Sequence, residues 1–280
     1  MSTLTAELIE VARRISEELA PPPVSGALLP TEDPGPDRDG SFCAVQLGDG
    51  ATGVAYVLLG DTRLRLRAID PASLVGRDAA TLAEGFASED PGARALGLAA
   101  INALSRFLLD RAGHRPDFAA NSIGSLQLSP GSRLGMVGFF PPLVKRAREA
   151  GAPLTVLELK ADLVQESPEL TVTLDPSRLA ECRDIVCTST ALLNGSLEAL
   201  LGHCRGCREL VLIGPSAGVV PDPLFARGVT GVGGAWVTDP ATFMARVSRG
   251  ERWGDAARKY SLRNDAAWPG LEALLRRARR

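Results

Sequence analysis

The chain has 280 residues, of which 45% are hydrophobic, and its formal net charge is −2 at pH 7. This length predicts two domains, because single domains usually hold roughly 100–200 residues. A net charge near zero argues against a nucleic-acid partner, which usually requires a strongly basic domain. No apolar run reaches the roughly 18 residues that a membrane span requires, so we expect no membrane association.

The cysteines and the first residues indicate a cellular compartment. The five cysteines are Cys43, Cys182, Cys187, Cys204 and Cys207. An odd number of cysteines in a chain of this length argues against a disulfide framework. Charged side chains, from Glu7 to Arg14, interrupt the first apolar stretch, which is therefore no secretory signal. We expect a cytoplasmic protein with reduced thiols.

The first half of the chain predicts a small α+β unit. Apolar residues at helical spacing indicate a helix over 4–20, and six prolines within 21–40 indicate a long loop. Three strand signals follow, at Phe42–Leu47, 54–59 and 63–67. Residues 63–67 alternate Arg and Leu with period two, which favours an edge strand with solvated arginines. Helices beginning at Asp78 and Pro91 complete a three-strand antiparallel meander with helices.

The second half predicts a doubly wound parallel sheet, because strand and helix signals alternate along it. Short apolar strands are expected at Leu134–Val137, Leu154–Leu157, 185–187, 210–213 and Gly231–Val237. Helical segments are expected at 142–150, 195–202, 222–227 and 240–249. Continuously apolar strands are typical of a parallel sheet covered on both faces, whose strands are joined by right-handed helical crossovers.

Ligands of such sheets bind outside the carboxyl ends of the strands, where the strand order reverses. The loops expected there carry small and polar residues, including Glu158, Thr188, Thr190, Asn194, Gly214, Pro215, Ser216 and a turn at Gly233–Gly234. The hydroxyls, the carboxylate and the amide could converge on one polar ligand. The alternative is that each group closes a turn or caps a helix. Asn194 in particular is a residue type that is common at helix N-caps.

A dinucleotide site is disfavoured at the first of these loops. The glycines before it do not form the pattern G-x-G-x-x-G, and Pro141 and Pro142 remove two N–H groups that would bind a pyrophosphate. Glu158 nevertheless lies about twenty residues after Gly138, the spacing of a ribose-binding carboxylate. This position makes Glu158 a candidate site residue of some kind.

The motif His203-Cys204-Arg-Gly-Cys207 offers a different site. One C-x-x-C supplies two of the four ligands that a structural zinc ion requires, and His203 could supply a third. The motif follows a predicted helix and precedes a strand, so it should lie at the opposite end of the sheet from the ligand loops. Ordinary buried thiols are therefore favoured over a metal site or a redox pair.

Several segments together resemble the heavy-metal chelation family. These segments are GLAAINA (97–103), GMVGFFP (135–141), TSTALLNGS (188–196), GPS (214–216) and PLFARGV (223–229). Members of that family join an enolase N-terminal-like domain to a Rossmann-like domain. The resemblance implies an enolase N-terminal-like α+β domain over 1–120 and a Rossmann-like domain with a C-terminal helical tail over 121–280.

The resemblance also implies a small polar, metal-chelating ligand, bound or processed in a cleft between the two domains. Asn102 would reach this cleft from the N-terminal domain. Two alternatives stay open: an enzyme using a nucleotide-type cofactor such as S-adenosylmethionine, and a metal-sequestering protein using Cys204, Cys207 and His203. The sequence leaves the reaction, the metal ion and homo-oligomerisation undetermined.

Overall fold

The structure is a computed structural model that describes residues 2–30, 41–118, 131–249 and 251–280. The helices are α1 (Leu4–Leu19), α2 (Thr62–Arg67), α3 (Ala79–Ala83), α4 (Pro91–Arg111), α5 (Pro141–Glu149), α6 (Thr190–Leu193), α7 (Leu197–His203), α8 (Asp222–Phe225), α9 (Pro240–Ser248) and α10 (Leu271–Ala278). The strands are β1 (Val24–Leu28), β2 (Phe42–Leu47), β3 (Thr52–Tyr56), β4 (Leu134–Val137), β5 (Leu154–Leu157), β6 (Gln165–Glu166), β7 (Leu170–Thr173), β8 (Asp184–Thr188), β9 (Glu209–Ile213), β10 (Gly231–Val237) and β11 (Ala257–Arg263).

The fold is mixed α/β and contains two sheets, as predicted. The small sheet is an antiparallel meander in the order β1-β2-β3. Helix α4 lies across it so closely that a Cβ on Gly53 would come 2.1 Å from the carbonyl oxygen of Ala99. Glycine at this position therefore permits the contact between strand and helix. Among the described helices, none is long and apolar enough to cross a membrane.

Two predictions for the first half are wrong in detail. Residues 63–67 belong to helix α2 and not to a strand, and Leu66 is buried while Leu64 is 67% exposed. The alternation of Arg and Leu suggested a strand, but the buried residues Thr62 and Leu66 are four positions apart, which is the spacing of one helix face. The third strand of the meander is β1, which lies within the segment 21–40 that was predicted to be a loop.

The large sheet has eight strands in the order β11-β10-β9-β8-β4-β5-β7-β6. Six of them are parallel, namely β4, β5, β7, β8, β9 and β10. When these six are numbered 1 to 6 along the chain, their order across the sheet is 3-2-1-4-5-6. This is a doubly wound arrangement, and the order reverses between β4 and β8. Antiparallel strands β11 and β6 form the two edges. The five predicted strands of this half are all present.

The sequence did not predict β6, β7 and β11. The last of these lies in the tail that was expected to be helical, although α10 does follow it. Gly233 and Gly234, which were expected in a turn, lie inside β10. Both errors concern the same edge of the sheet, because β10 and β11 pair along seven residues.

The two faces of the large sheet are covered differently. On one face, Cys187, Leu210 and Leu212 join the main hydrophobic core, which includes α1, α4, α7 and α10. On the other face, a smaller core contains Met136 and Val211 and, among the described helices, α5 alone. Beyond α5 on this second face, Phe243 of α9 packs with Val237 of β10 and Ala257 of β11, so the described helices leave a gap between α5 and α9.

Candidate functional site

A cavity of about 390 Å³ lies on this second face, beside the carboxyl ends of β4, β9 and β10. Its lining residues are Phe140, Pro142, Leu143, Arg146, Ile213, Gly214, Pro215, Gly233, Gly234, Ala235, Trp253, Gly254, Ala257, Arg258, Lys259 and Tyr260. Its position agrees with the rule that doubly wound sheets bind ligands at this edge. Its volume is that of a small-molecule site. We call it the edge cavity.

The floor of the edge cavity is formed by a strand with almost no side chains. Gly233 and Ala235 face it, and a Cβ on Gly233 would meet Ile213 at an ordinary distance of 3.4 Å. The walls are aromatic and aliphatic. The Trp253 ring is fixed in place, since it stacks on Phe243 with ring centroids 5.5 Å apart. The flat, apolar floor and rigid walls suit a planar or apolar ligand body.

The charged groups at the edge cavity are cations. Arg146 on α5 and Lys259 on β11 line it and are exposed, and its lining, as far as the structure describes the chain, includes no carboxylate. Among the described residues, neither has an acidic group within ion-pair distance. Arg258 also lines the cavity, but its guanidinium lies 4.6 Å from the centroid of the Phe118 ring. The cavity therefore favours a ligand that carries negative charge.

Of the predicted site residues, Gly214 and Pro215 line the edge cavity. Gly214 has φ of +134°, and a Cβ there would lie 2.3 Å from the hydroxyl oxygen of Ser189. Its amide donates to the carbonyl oxygen of Gly233 at 2.9 Å. Glycine is thus required at this position for the loop after β9 to reach the cavity.

Ser216 and Asn102 lie close together but face away from the edge cavity. The Ser216 hydroxyl accepts a hydrogen bond from the Tyr56 amide at 2.9 Å. The Asn102 side-chain amide donates to the carbonyl oxygens of Val54, at 2.8 Å, and Ser216, at 3.0 Å. Both side chains are buried at the contact between the two halves of the chain.

The Glu158 carboxylate closes the loop after β4. It accepts hydrogen bonds from the amides of Phe139, at 2.8 Å, and Leu159, at 2.9 Å. The carboxylate thereby binds at the amino end of α5, where a doubly wound sheet would bind a pyrophosphate. Together with Pro141 and Pro142, which lack amide hydrogens, this contact leaves little of that helix end for a phosphate.

The remaining predicted residues make short-range contacts. The hydroxyl oxygens of Thr188 and Thr190 are 3.0 Å apart. The Asn194 side-chain oxygen accepts from the amide and the hydroxyl of Ser196, at 3.0 and 2.7 Å. Asn194 therefore closes the turn that precedes α7, as the alternative interpretation of this residue predicted. None of these side chains lines the edge cavity.

Two further spaces lie between the halves of the chain. An open cleft of about 410 Å³ is lined by Tyr56, Leu59, Gly60, Asp61, Thr62, Glu89, Pro91, Arg94, Leu193 and Asn194. A closed space of about 10 Å³, roughly the volume of one water molecule, is lined in part by Asn102, Pro215 and Tyr260. Of the sequence-predicted site residues, Gly214 and Pro215 thus line the edge cavity, Asn194 lines the cleft, and Asn102 lines the closed space. Glu158, Thr188 and Thr190 line none of the three.

The cysteine motif lies at the other end of the sheet, as predicted. The Cys207 amide donates to the carbonyl oxygen of Cys204 at 3.1 Å in the turn between α7 and β9. Burial raises the pKa of the Cys204 thiol to about 12 and also raises the pKa of Cys207. Without a bound metal ion, both thiols are therefore protonated near neutral pH. Within the described residues, no group of three or more His, Cys, Asp or Glu side chains could hold a metal ion.

Sequence reasoning missed most of the edge cavity. Arg146, Trp253 and Lys259 were not singled out, because their roles depend on β11 folding back beside β10. Two signals were available. A run of glycines inside a strand often marks a site that another group approaches closely. Residues 259–263 also alternate polar and apolar side chains, which indicates a strand.

Two solved structures of the DUF364 family resemble this fold. One, from Pyrococcus horikoshii and of unknown function, covers 93% of this chain and 100% of its own, with a TM-score of 0.68 and 20% identity. Another, from Desulfitobacterium hafniense and also of unknown function, covers 91% and 98%, with a TM-score of 0.64 and 18% identity. These levels of identity support a shared fold alone.

The sequence matches lead to the same family. An uncharacterized protein of Methanocaldococcus jannaschii is 23% identical over 173 residues, which are 60% of this chain and 65% of that protein. Residues 40–105 and residues 121–264 match the models of two protein families, and both families are described as "Putative heavy-metal chelation". The second match alone covers just over half of the chain. The protein therefore belongs to the heavy-metal chelation family, DUF364.

Proposed function

We propose that the protein binds a small organic anion with an apolar body in the edge cavity, and that any metal ion arrives already chelated by that molecule. The observation that carries this proposal is the composition of the cavity. Its walls and floor are apolar, and Arg146 and Lys259 supply positive charge without a carboxylate in the lining. Chelating molecules commonly carry carboxylates or other acidic oxygens, which such cations attract.

A bare metal ion fits the cavity poorly. Divalent cations require carboxylate, imidazole or thiolate ligands, and the lining offers arginine, lysine and one tyrosine phenol instead. Burial raises the pKa of that phenol, on Tyr260, so it remains protonated near neutral pH. Positive charges at the cavity would also repel a free cation. The family description is thus reconciled with the site if the metal is bound by the ligand and not by the protein.

The interdomain cleft supports a ligand site less well. Its acidic residues are Asp61, which is paired with Arg65 at 2.9 Å, and the exposed Glu89. The Arg94 side chain donates to the carbonyl oxygens of Ser88 and Leu193, and the Asn194 side-chain oxygen accepts from Ser196. The cation of the cleft thus already has partners within the protein and Glu89 would repel an anion, whereas Arg146 and Lys259 are available to a ligand.

The test uses 8-anilinonaphthalene-1-sulfonate, an apolar anion whose fluorescence rises in apolar sites. We expect wild-type protein to bind it, and Gly233→Leu to abolish binding, because the new side chain fills the cavity floor. The double variant Arg146→Gln/Lys259→Gln should bind about threefold to tenfold more weakly, since each exposed charge contributes up to roughly 1 kcal/mol. The control is Lys145→Gln, a neighbouring cation of α5 that does not line the cavity.

Competition then separates the chelate from the metal. We expect ferric citrate and citrate to displace the probe, and zinc or nickel chloride to leave it bound. If the free metal salts displace the probe or raise the melting temperature while citrate does neither, the proposal is wrong. Unchanged probe binding by Gly233→Leu would show that the edge cavity is not the site.

A further inference from the structure

We infer that Ser216 and Asn102 position the edge cavity from outside it, so that the N-terminal half of the chain controls ligand affinity without contacting the ligand. This inference rests on the proposed function, because it concerns the same cavity. All the residues that line the edge cavity lie between Phe140 and Tyr260, so the described residues of the N-terminal half contribute none of its surface. The connection runs through the loop after β9.

Three consecutive residues of this loop face two different environments. Gly214 and Pro215 line the edge cavity, and Ser216, the next residue, faces the N-terminal half. The Ser216 hydroxyl accepts from the Tyr56 amide, and its carbonyl oxygen accepts from the Asn102 side chain. Because adjacent Cα atoms are held about 3.8 Å apart, a shift of Ser216 moves the cavity wall unless the backbone dihedrals of Pro215 and Ser216 absorb it.

These hydrogen bonds are well placed to fix the loop. Ser216 is fully buried and Asn102 is 3% exposed, so bulk solvent has little access to these hydrogen bonds. Asn102 uses its side-chain nitrogen for two carbonyl oxygens, one on β3 and one on the loop. It thereby ties helix α4, the small sheet and the cavity loop to one another. A polar side chain that joins three elements sets their relative positions more strictly than apolar packing does.

The contact between the halves is also separated from the ligand by a thin wall. Pro215, Ala235 and Tyr260 line both the edge cavity and the closed space of about 10 Å³. Asn102 lines this space as well, and its side-chain oxygen has no hydrogen-bond partner among the described residues. A ligand that presses on Pro215 or Tyr260 therefore presses on the surroundings of Asn102.

The chain supplies a matched control for Ser216. Ser105 on α4 is also fully buried, and its hydroxyl accepts from the Val220 amide at 3.0 Å across the same contact. The two serines thus make equivalent hydrogen bonds between the halves. They differ in that Ser216 is adjacent to the cavity wall, whereas Val220 lies five residues beyond Pro215.

The experiment compares Ser216→Ala with Ser105→Ala in the full chain. Urea unfolding should show similar losses of stability for the two variants, because each leaves one buried amide unpaired. Titration with 8-anilinonaphthalene-1-sulfonate should show about threefold to tenfold weaker binding by Ser216→Ala and unchanged binding by Ser105→Ala. Equal dissociation constants for the two variants would overturn the inference.

A second measurement needs no substitution, so it stands if a variant does not fold. By reciprocity, a ligand that depends on the Ser216 contact must in turn stabilise it. Saturating probe should slow hydrogen exchange of the Tyr56 amide, observed by NMR, more than that of the Val220 amide. Equal changes at both amides would contradict the inference. If instead the wild-type protein fails to bind the probe at all, it is the proposed function that fails.

Discussion

Two loops at the same edge of the large sheet show how differently one topology can be used. The loop at 139–142 follows β4 and the loop at 214–218 follows β9, and both lie where a doubly wound sheet binds its ligands. The first is closed by the protein itself, since Glu158 accepts the Phe139 amide and two prolines begin α5. Both border the edge cavity, the first through Phe140 and Pro142 and the second through Gly214 and Pro215, but the second is held from behind by the N-terminal half.

The comparison shows that strand order alone does not locate a ligand. Topology places both loops at the edge of the sheet where ligands bind. Whether their backbone polar groups are available to a ligand depends on the side chains in and around each loop. At the loop after β4, the protein supplies its own anion to the helix end. At the loop after β9, a glycine conformation exposes the backbone to a cavity with free cations nearby. The loop after β9 is therefore the better candidate for ligand contact, and substitutions at Gly214 and Glu158 test this difference.

The largest effect is expected for Gly214→Ala. Its φ of +134° is unfavourable for alanine, and the new Cβ would collide with the Ser189 hydroxyl. We expect a loss of about 2–4 kcal/mol in unfolding free energy, from backbone strain and overpacking together, and loss of probe binding. The measurement is urea unfolding with probe titration on the folded fraction.

Gly233→Ala is the matched control for this variant. Its Cβ would make an ordinary contact at 3.4 Å and its φ is not in the left-handed region, so stability should change by less than about 1 kcal/mol. Equal stability of the two glycine variants would mean that the loop after β9 is not shaped by Gly214. The contrast between the loops would then lose its structural basis.

The sequence predicted the framework of the protein because the relevant signals are local. Short apolar runs such as Leu134–Val137 and Leu154–Leu157 were placed at their observed bounds. Strand β7 was missed because it follows β5 without an intervening α-helix, so the expected alternation fails there. Strand β1 was missed because three prolines precede it, and proline-rich sequence favours a loop.

The candidate site was less predictable, because it depends on where side chains point. Position along the chain identified the Gly214–Pro215 loop correctly as a strand-end loop, but it could not show that Ser216 turns to the opposite side. It also could not show that Glu158 binds backbone amides of its own loops.

The division into domains at residues 120 and 121 stays a prediction. We propose to test it by expressing 1–120 and 121–280 separately, with the expectation that α10 loses its contact with α4.

A smaller effect is expected for Glu158→Ala, which opens the loop after β4. The variant loses the hydrogen bonds to the Phe139 and Leu159 amides, and we expect a stability loss of about 1 kcal/mol for this partly exposed group. Probe affinity should stay within twofold of wild type, roughly the limit of detection for uncoupled sites. Urea unfolding and fluorescence titration measure the two quantities.

Two further variants sharpen this result. Glu158→Gln retains an acceptor oxygen and should lose less stability than Glu158→Ala. Glu149→Ala removes an exposed carboxylate of α5 that is 3.8 Å from Lys145 and should change stability very little. If Glu158→Ala abolishes probe binding, or if wild-type protein gains thermal stability from S-adenosylmethionine while the Glu158 variant does not, the loop after β4 is the ligand site and the comparison is reversed.

The smallest effect is expected for Asn194→Ala, at the turn between α6 and α7. The Asn194 side-chain oxygen accepts from the amide and hydroxyl of Ser196, which closes the turn before α7. Its loss should cost about 0.5–1 kcal/mol, and Asn194→Asp, which retains an acceptor, should recover most of it. Neither change should alter probe affinity, because Asn194 lines the open cleft between the halves of the chain and not the edge cavity. Weaker probe binding by Asn194→Ala at unchanged stability would instead assign ligand binding to the cleft, where the sequence first placed it.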